Sequence, residues 1–138
     1  MSDLKALARR IYDEVFNDGN LDLIDELLHD DFVEHEQIPG LPTGKEAPKV
    51  FTTMVRNAFP DFRMTIHDVL QDGNKVIVRA RAAGTHQGEF MGMPATGNTF
   101  DIGVIDIMEY DGDKVTGHWG VMDMAGMMQQ LGVDGPGA

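Results

Sequence analysis

The stretch FRMTIHDVLQDGNKVIVRARAAGTH, residues 62–86, decides the fold class, because an Asp-Gly pair separates two runs rich in β-forming residues. A two-residue hairpin turn needs residues that tolerate a positive φ, and Asp and Gly both do. The pattern therefore predicts a β-hairpin that turns at Asp72-Gly73. Alternation divides the second strand between two faces, with Val76, Val78, Ala80 and Ala82 on one and Ile77, Arg79 and Arg81 on the other.

The same device recurs in NTFDIGVIDIMEYDGDKVTGHWGVMD, residues 98–123, where Asp111-Gly112 again separates two β-rich runs. With the loop of residues 87–97 joining the two hairpins, we expect a four-stranded antiparallel meander. The polar segment DFVEHEQ, residues 31–37, we interpret as one further short strand.

Helices are predicted before the meander. Apolar residues recur at helical spacing in residues 4–16 and again in residues 21–28. A third helix is expected from near Ala47, with an inward face of Val50, Phe51, Met54, Val55, Ala58 and Phe59. Helices followed by a meander indicate an α+β fold, in which a sheet curled around the helices leaves a concave apolar cavity. We expect one domain, residues 1–138, with a loosely ordered tail at residues 133–138.

The composition narrows the range of partners. The chain has 23 acidic and 11 basic residues, so its formal net charge is −12, and the basic residues are scattered. This charge disfavours binding to nucleic acids and to anionic membranes. Because the chain has no cysteine and no run of about 18 apolar residues, we expect neither disulfides nor a membrane span, and a cytoplasmic location.

Most catalytic motifs are missing from the sequence. There is no cysteine nucleophile, no G-x-S-x-G elbow and no glycine-rich phosphate loop. The five histidines include no pair at the i, i+4 spacing of a helical zinc site, so we expect neither a metal nor another cofactor. What remains is general acid–base chemistry by carboxylate and imidazole groups in a dry pocket.

Asp123 is the first candidate, at the junction of the last strand and a short helix in HWGVMDMAGMMQQLG, residues 118–132. Alternation puts Gly117, Trp119, Val121 and Asp123 on one face, which we interpret as a cavity wall. Apolar neighbours there would raise the pKa of Asp123 toward neutrality. The alternative is that Asp123 is simply the N-cap of the helix, and spacing alone favours the cap.

Further predictions concern His118 and Asp106. By the same alternation His118 points away from the cavity, toward water or a second subunit. Asp106 lies in the apolar run GVIDIM, so its burial would require a partner, for which a neighbouring histidine is a candidate.

Four segments, taken in order, resemble the SnoaL-like polyketide cyclases, also called SnoaL-like ester cyclases. GHWGVMDMAGMMQQLG, residues 117–132, is similar to the family pattern E-H-W-x-x-x-D-x-x-G-x-x-Q-Q-L-G, and GTHQGEFMGMPATGNTF, residues 84–100, to GTH-x-G-E-F-x-G-x-P-x-T-G. The other two are DDFVEHEQIPGLPTG, residues 30–44, and NAFPDFRMTIHDVLQDGNKVIVR, residues 57–79. The resemblance implies a cone-shaped α+β fold of the cystatin-like, nuclear transport factor 2-like type, with a curved antiparallel sheet wrapped around N-terminal helices.

The resemblance also implies an activity. Characterised members close a ring of a polyketide ester by intramolecular aldol addition, with an aspartate as general acid and base and without metal or cofactor. The family aspartate matches Asp123, and histidines that the family often shows match His35, His86 and His118, so these are the implied catalytic residues. A small hydrophobic carbonyl compound is the implied substrate, and a homodimer or higher homo-oligomer the implied assembly. The expected substrate contacts are Trp119, Val121, Phe51, Met54, Phe90 and Met127.

Two positions depart from the family pattern, since Gly117 stands where Glu is usual and Gly120 where Asp is common. Two alternatives stay open beside the cyclase. One is a non-catalytic domain that binds a small hydrophobic ligand in the same cavity. The other is an isomerase or epoxide hydrolase on the same fold.

Overall fold

The computed structural model describes residues 3–36 and 38–132, so the tail predicted to be loose, residues 133–138, lies outside the described residues. The helices are α1 (Leu4–Arg10), a π-helical continuation (Ile11–Asn17), α2 (Asp22–Leu27), α3 (Glu46–Ala58) and α4 (Met124–Leu131). The strands are β1 (Leu28–Glu34), β2 (Arg63–Asp72), β3 (Lys75–Thr85), β4 (Thr99–Asp111) and β5 (Lys114–Met122). Helices that precede a run of strands confirm the predicted α+β class.

Strands β2 to β5 form the predicted antiparallel meander, and the sheet order is β1-β5-β4-β3-β2. Each hairpin turn has two residues, Gly73-Asn74 and Gly112-Asp113, one residue later than the Asp-Gly pairs suggest. Gly73 and Gly112 have φ of 60° and 61°, left-handed values that cost a glycine little. The glycine of each pair therefore sets the turn.

A strand does occur in the polar segment after α2, but β1 spans Leu28–Glu34 where the prediction was residues 31–37, and it does not fit the implied antiparallel sheet. It lies parallel to β5, with Val33 beside Gly117 and Glu34 beside His118. The sheet is therefore a mixed one of five strands, curved and unclosed, instead of purely antiparallel. Glu34 and His118 are 84 residues apart, so no local pattern in the sequence could show their pairing.

The helices pack on the concave face of the sheet and bury one apolar core. The β3 residues predicted to share a face lie in this core: Val76, Val78, Ala80 and Ala82. The predicted inward face of α3 is confirmed except at Val50, which is exposed. No helix in the described part of the chain is long and apolar enough to span a membrane.

The convex face of the sheet carries ion pairs beside exposed apolar side chains. Arg79 Nε lies 2.6 Å from an oxygen of Asp68, and Arg81 Nε lies 2.6 Å from an oxygen of Asp101. The apolar residues exposed on β4 and β5 are Ile105, Trp119 and Val121.

One irregularity in the β4–β5 pairing determines which residues face the helices. Val115 pairs with Tyr110, whereas Gly117 pairs with Glu109, so Thr116 is an extra residue on β5. Such a β-bulge shifts the alternation of the strand by one position.

After the bulge, the inward positions of β5 are His118, Gly120 and Met122, although Val115 before it is also buried. His118 pairs with the buried Met108 of β4, and both line the space between the sheet and the helices. The bulge therefore turns the imidazole of His118 toward the interior.

Candidate active site

A pocket lies between the concave sheet face and the helices. Most of its wall is apolar, formed by residues such as Ile11, Phe16, Phe32, Phe51, Val104 and Met108. Five polar side chains also line it, and we call them the polar cluster: Tyr12, Glu34, Glu36, Asp106 and His118. An apolar cavity with a few convergent polar groups is the usual form of a small-molecule site.

His118 is at the centre of the polar cluster, because carboxylates bind both of its ring nitrogens. Nδ1 lies 2.5 Å from Oε2 of Glu34, and Nε2 lies 2.8 Å from Oδ1 of Asp106. Glu34 belongs to β1 and Asp106 to β4, the two strands that flank β5. The strand order therefore brings the three side chains together.

The surroundings of His118 decide its charge. Burial lowers the pKa of His118, but the hydrogen bonds to Asp106 and Glu34 outweigh burial and raise the pKa to about 10. His118 is therefore an imidazolium at neutral pH and donates from both nitrogens. In this state it stabilises nearby negative charge, and the role of base falls to a carboxylate.

Asp106 is only 5% exposed and receives two hydrogen bonds. Its Oδ1 accepts from Nε2 of His118, and its Oδ2 accepts from the hydroxyl of Tyr12 on the π-helical segment. Burial, followed by the charge of Asp106, raises the pKa of Tyr12 well above its usual range, so Tyr12 remains a donor. A buried Asp106 was expected to need a partner, with a neighbouring histidine as a candidate, and one partner in the structure is His118.

Glu36 lies two residues beyond the end of β1. One of its carboxyl oxygens lies within 4.8 Å of an oxygen of Asp106 and a ring nitrogen of His118. Burial raises the pKa of Glu36 to about 7, with the charge of His118 opposing this rise and the charges of Asp106 and Glu34 adding to it. Glu36 can therefore gain and lose a proton near neutral pH.

Gly120 leaves the space that the polar cluster occupies. A Cβ at this position would overlap Oε1 of Glu36 and would lie 2.6 Å from Oδ1 of Asp106 and 2.8 Å from Cε1 of His118. The carboxyl of Glu36 thus fills the place that a side chain on β5 would take. The glycine makes room for these side-chain ends, and its φ is not left-handed.

Glu36, Asp106 and His118 each offer an atom within 4.8 Å of the other two, near enough to hold a divalent cation. A histidine binds a metal only through an unprotonated nitrogen. Because both nitrogens of His118 donate to carboxylates, metal binding would first have to remove a proton held by two negative charges. The arrangement favours proton transfer over metal binding at neutral pH.

Asp123 lies outside the pocket. It is exposed, and as the N-cap of α4 its Oδ1 accepts a hydrogen bond of 2.9 Å from the backbone N–H of Gly126. Asp123 is therefore the N-cap of the helix, as the alternative interpretation stated. Its predicted place in the cavity wall is wrong.

The predicted wall positions of Trp119 and Val121 are wrong as well. Both side chains lie on the convex face, where they are 38% and 73% exposed. The bulge at Thr116 is the physical reason, because it reverses the face of every later residue of β5. For the same reason His118, predicted to point away from the cavity, points into it.

The other two predicted histidines lie apart from the polar cluster. His35 is exposed and stacks on Trp119, with 4.2 Å between ring centroids. His86 is fully buried beside Phe59, and its Nδ1 lies 3.1 Å from Oγ1 of Thr96. Neither histidine is among the residues that line the pocket.

The remaining predicted substrate contacts divide between the pocket and the core. Phe51 lines the pocket, as predicted. Phe90 and Met127 are buried in the core, and Met54 packs against it, so the structure places these three outside the pocket wall.

Tyr12, Glu34 and Glu36 were not among the residues predicted from the sequence. Tyr12 follows Ile11 on a helix face typical of a core, and β1 is a short strand rich in acids. The signal that could have identified the two acids is their spacing from the buried Phe32, since alternate residues of an extended segment share a face.

Comparisons with known proteins agree with this architecture. The family model described as SnoaL-like polyketide cyclase matches residues 6–131. Aklanonic acid methyl ester cyclase of Streptomyces peucetius is 30% identical over 140 residues, which cover 99% of this chain and 95% of that protein.

Solved structures match over nearly the whole chain. TsrD from Streptomyces laurentii has a TM-score of 0.85 at 25% identity, over 97% of this chain and 99% of that chain. IdmH from Streptomyces antibioticus has a TM-score of 0.82 at 31% identity, over 96% of this chain and 100% of that chain. With the matching family model and the 30% identical relative, these likenesses lead to one conclusion: the chain belongs to the SnoaL-like polyketide cyclase family.

Proposed function

We propose that this protein closes a ring of a polyketide ester by intramolecular aldol addition, with Asp106 as the general base. The observation that carries the proposal is the burial of Asp106 in an apolar pocket between two donors, His118 and Tyr12. A charged group is tolerated in such a pocket when hydrogen bonds satisfy it. In this proposal, the substrate folds within the same pocket beside the base.

The reaction begins when Asp106 takes a proton from a carbon next to a carbonyl. The electron pair of the broken C–H bond forms an enolate, which attacks a second carbonyl carbon of the same molecule and closes the ring. The imidazolium of His118 stabilises the negative charge as it passes from Asp106 to the substrate. The apolar wall keeps the two reacting carbons close together, which lowers the entropic cost of the step.

An uncharged ester is the substrate class that fits the pocket. The relative from Streptomyces peucetius is named as a cyclase of aklanonic acid methyl ester. The carboxylates of Glu34 and Asp106 outnumber the single positive charge of His118, so a free carboxylate beside them would be repelled. An ester avoids this repulsion and keeps the carbonyl that the reaction needs.

The test is incubation of the purified protein with aklanonic acid methyl ester and with other polyketide β-keto esters. We expect a product of unchanged mass with one more ring, followed by liquid chromatography, mass spectrometry and NMR. Recovery of every compound unchanged would contradict the proposal and favour a ligand-binding domain. Exchange of substrate protons with solvent without ring closure would also contradict it and favour an isomerase.

The homodimer and the cytoplasmic location stay predictions. We propose the convex face as the dimer surface, because Ile105, Trp119 and Val121 are exposed there. Sedimentation velocity tests this, with a dimer expected for the parent protein and a monomer for Val121→Glu. A monomeric parent protein would contradict the dimer.

A further inference from the structure

We propose that Glu36 is a second catalytic group of the pocket, the acid that protonates the new alkoxide as the ring closes. The inference rests on the proposed aldol reaction and divides its two proton transfers between two carboxyl groups. Asp106 removes a proton from carbon, and Glu36 donates one to oxygen.

The geometry places Glu36 where such an acid is needed. Its side chain lines the pocket, and one of its oxygens lies within 4.8 Å of an oxygen of Asp106 and a ring nitrogen of His118. The missing side chain of Gly120 is what admits the carboxyl to this position. A substrate atom placed between Asp106 and Glu36 is therefore within reach of both carboxyl groups.

The other proton donors of the polar cluster already donate hydrogen bonds to carboxylates. His118 donates one to Glu34 and one to Asp106, and Tyr12 donates its hydroxyl proton to Asp106. By contrast, the hydrogen bonds found among residues 3–36 and 38–132 do not include the carboxyl of Glu36. Within the polar cluster, and among the residues that the structure describes, the proton of Glu36 is the one without an acceptor.

The charges that face Glu36 allow it to carry this proton. His118 on β5, Asp106 on β4 and Glu34 on β1 face it, and Tyr12 reaches it from the π-helical segment. Burial, together with the two neighbouring carboxylates, favours the neutral acid, and the imidazolium only partly opposes this. Glu36 is therefore an available donor below about pH 7.

The two proton transfers balance over one turnover. Asp106 gains the proton of the broken C–H bond, and the enolate forms the new C–C bond. The π electron pair of the attacked carbonyl becomes an alkoxide lone pair, which takes the proton of the Glu36 O–H. Transfer of the proton from Asp106 back to Glu36, over a gap of at most 4.8 Å that one water can bridge, restores both groups. The net reaction is an isomerisation that needs no oxidant or reductant.

The experiment separates the two steps in deuterated water with the ester that the parent protein cyclises. Incorporation of deuterium at the carbon next to the carbonyl, above the enzyme-free rate, reports the step of Asp106. Ring closure reports the complete reaction. The variants are Glu36→Gln, Glu36→Asp, Asp106→Asn and, as a matched loss of one exposed carboxylate outside the pocket, Glu89→Gln.

For Glu36→Gln we expect ring closure to fall about 100-fold, the usual contribution of a general acid, while deuterium incorporation stays within about twofold of the parent rate. Glu36→Asp should recover part of the ring closure, because it restores a proton donor. Asp106→Asn should lose both readouts, and Glu89→Gln neither.

Ring closure at the parent rate in Glu36→Gln would overturn the role of Glu36 and leave the proposed function intact. Equal loss of deuterium incorporation and ring closure in that variant would also overturn it, since Glu36 would then act in the first step. A parent protein that neither exchanges nor cyclises would overturn the proposed function, and this inference with it. A thermal melt of each variant confirms that it is folded.

Discussion

Nε2 of His118 lies 2.8 Å from Oδ1 of Asp106, on the neighbouring strand and 12 residues earlier in the chain. The contact depends on the bulge at Thr116, because without it the imidazole would face solvent on the convex side of the sheet. A one-residue irregularity in one hairpin thus supplies the pocket with a buried ion pair.

Removal of the Tyr12 hydroxyl is expected to weaken the folded state. In Tyr12→Phe the ring packing is kept, but Oδ2 of Asp106 loses its donor. Loss of a hydrogen bond to a charged group costs about 1.5–3 kcal/mol, so the free energy of unfolding should fall by about that amount. Urea denaturation of the variant and the parent protein measures the change, and equal stabilities would contradict the contribution of this hydrogen bond.

The stability of the protein should fall as pH rises through the neutral range. The pKa of Glu36 is raised from 4.5 to about 7 in the folded protein, so the folded state binds more protons than the unfolded state between these values. His118 acts in the same direction between 6.5 and about 10. The favourable contributions of both groups are therefore complete at low pH and are lost as pH rises.

Glu36→Gln isolates the contribution of Glu36. The rise in the pKa of Glu36 from 4.5 to about 7 would correspond to about 3 kcal/mol, and screening at this partly exposed side chain reduces the expected effect to about 1–2 kcal/mol. Relative to the parent protein, the variant should therefore gain about 1–2 kcal/mol in free energy of unfolding between pH 5 and 8. Urea denaturation at each pH measures this gain, and a difference that does not change with pH would contradict proton binding by the half-buried Glu36.

A methyl group at position 120 should disrupt the polar cluster without unfolding the protein. In Gly120→Ala the new Cβ would displace the ends of the Glu36 and Asp106 side chains, which can move more easily than backbone. We expect a loss in ring-closure rate of about 100-fold, comparable to the loss of a catalytic group. Gly117→Ala on the same strand is the matched control, since its Cβ would meet the Trp119 ring at 3.3 Å on the convex face. Equal ring-closure rates in Gly120→Ala and Gly117→Ala would contradict the role of the polar cluster in the reaction.

The charge of the pocket should make the protein select an ester over the free acid. Glu34 and Asp106 leave an excess of negative charge around the single cation of His118. We expect the free-acid analogue to bind at least about tenfold more weakly, which corresponds to about 1.4 kcal/mol of repulsion. Isothermal titration calorimetry with both compounds measures this, and equal affinities would show that the carboxyl group lies away from the polar cluster.

Much of the fold could be predicted because its signals are local. The two Asp-Gly hairpins, the alternation of β3 and the apolar stripes of the helices each lie within about a dozen neighbouring residues. The parallel pairing of β1 with β5 could not be predicted in this way, because it joins residues 84 positions apart.

The candidate site was harder to predict because one bulge reverses a simple rule. The alternation in β5 correctly separates His118 from Trp119 and Val121, but Thr116 exchanges the faces that the two groups occupy. The sequence predicts that a buried Asp106 needs a partner, because it is a single acid in an apolar strand, and a neighbouring histidine was only a candidate. Which histidine is the partner of Asp106 could be identified only from the pairing of β5 with β4.

The most direct test of the account compares Asp106→Asn with Asp123→Asn in the ring-closure assay. Both changes remove one carboxylate with little change in shape, and Asn still caps a helix at position 123. We expect Asp106→Asn to lose at least about 100-fold in rate, as for the loss of a general base, and Asp123→Asn to retain the parent rate within about twofold. Loss of activity in Asp123→Asn together with an active Asp106→Asn would contradict the buried pair of Asp106 and His118 as the catalytic centre.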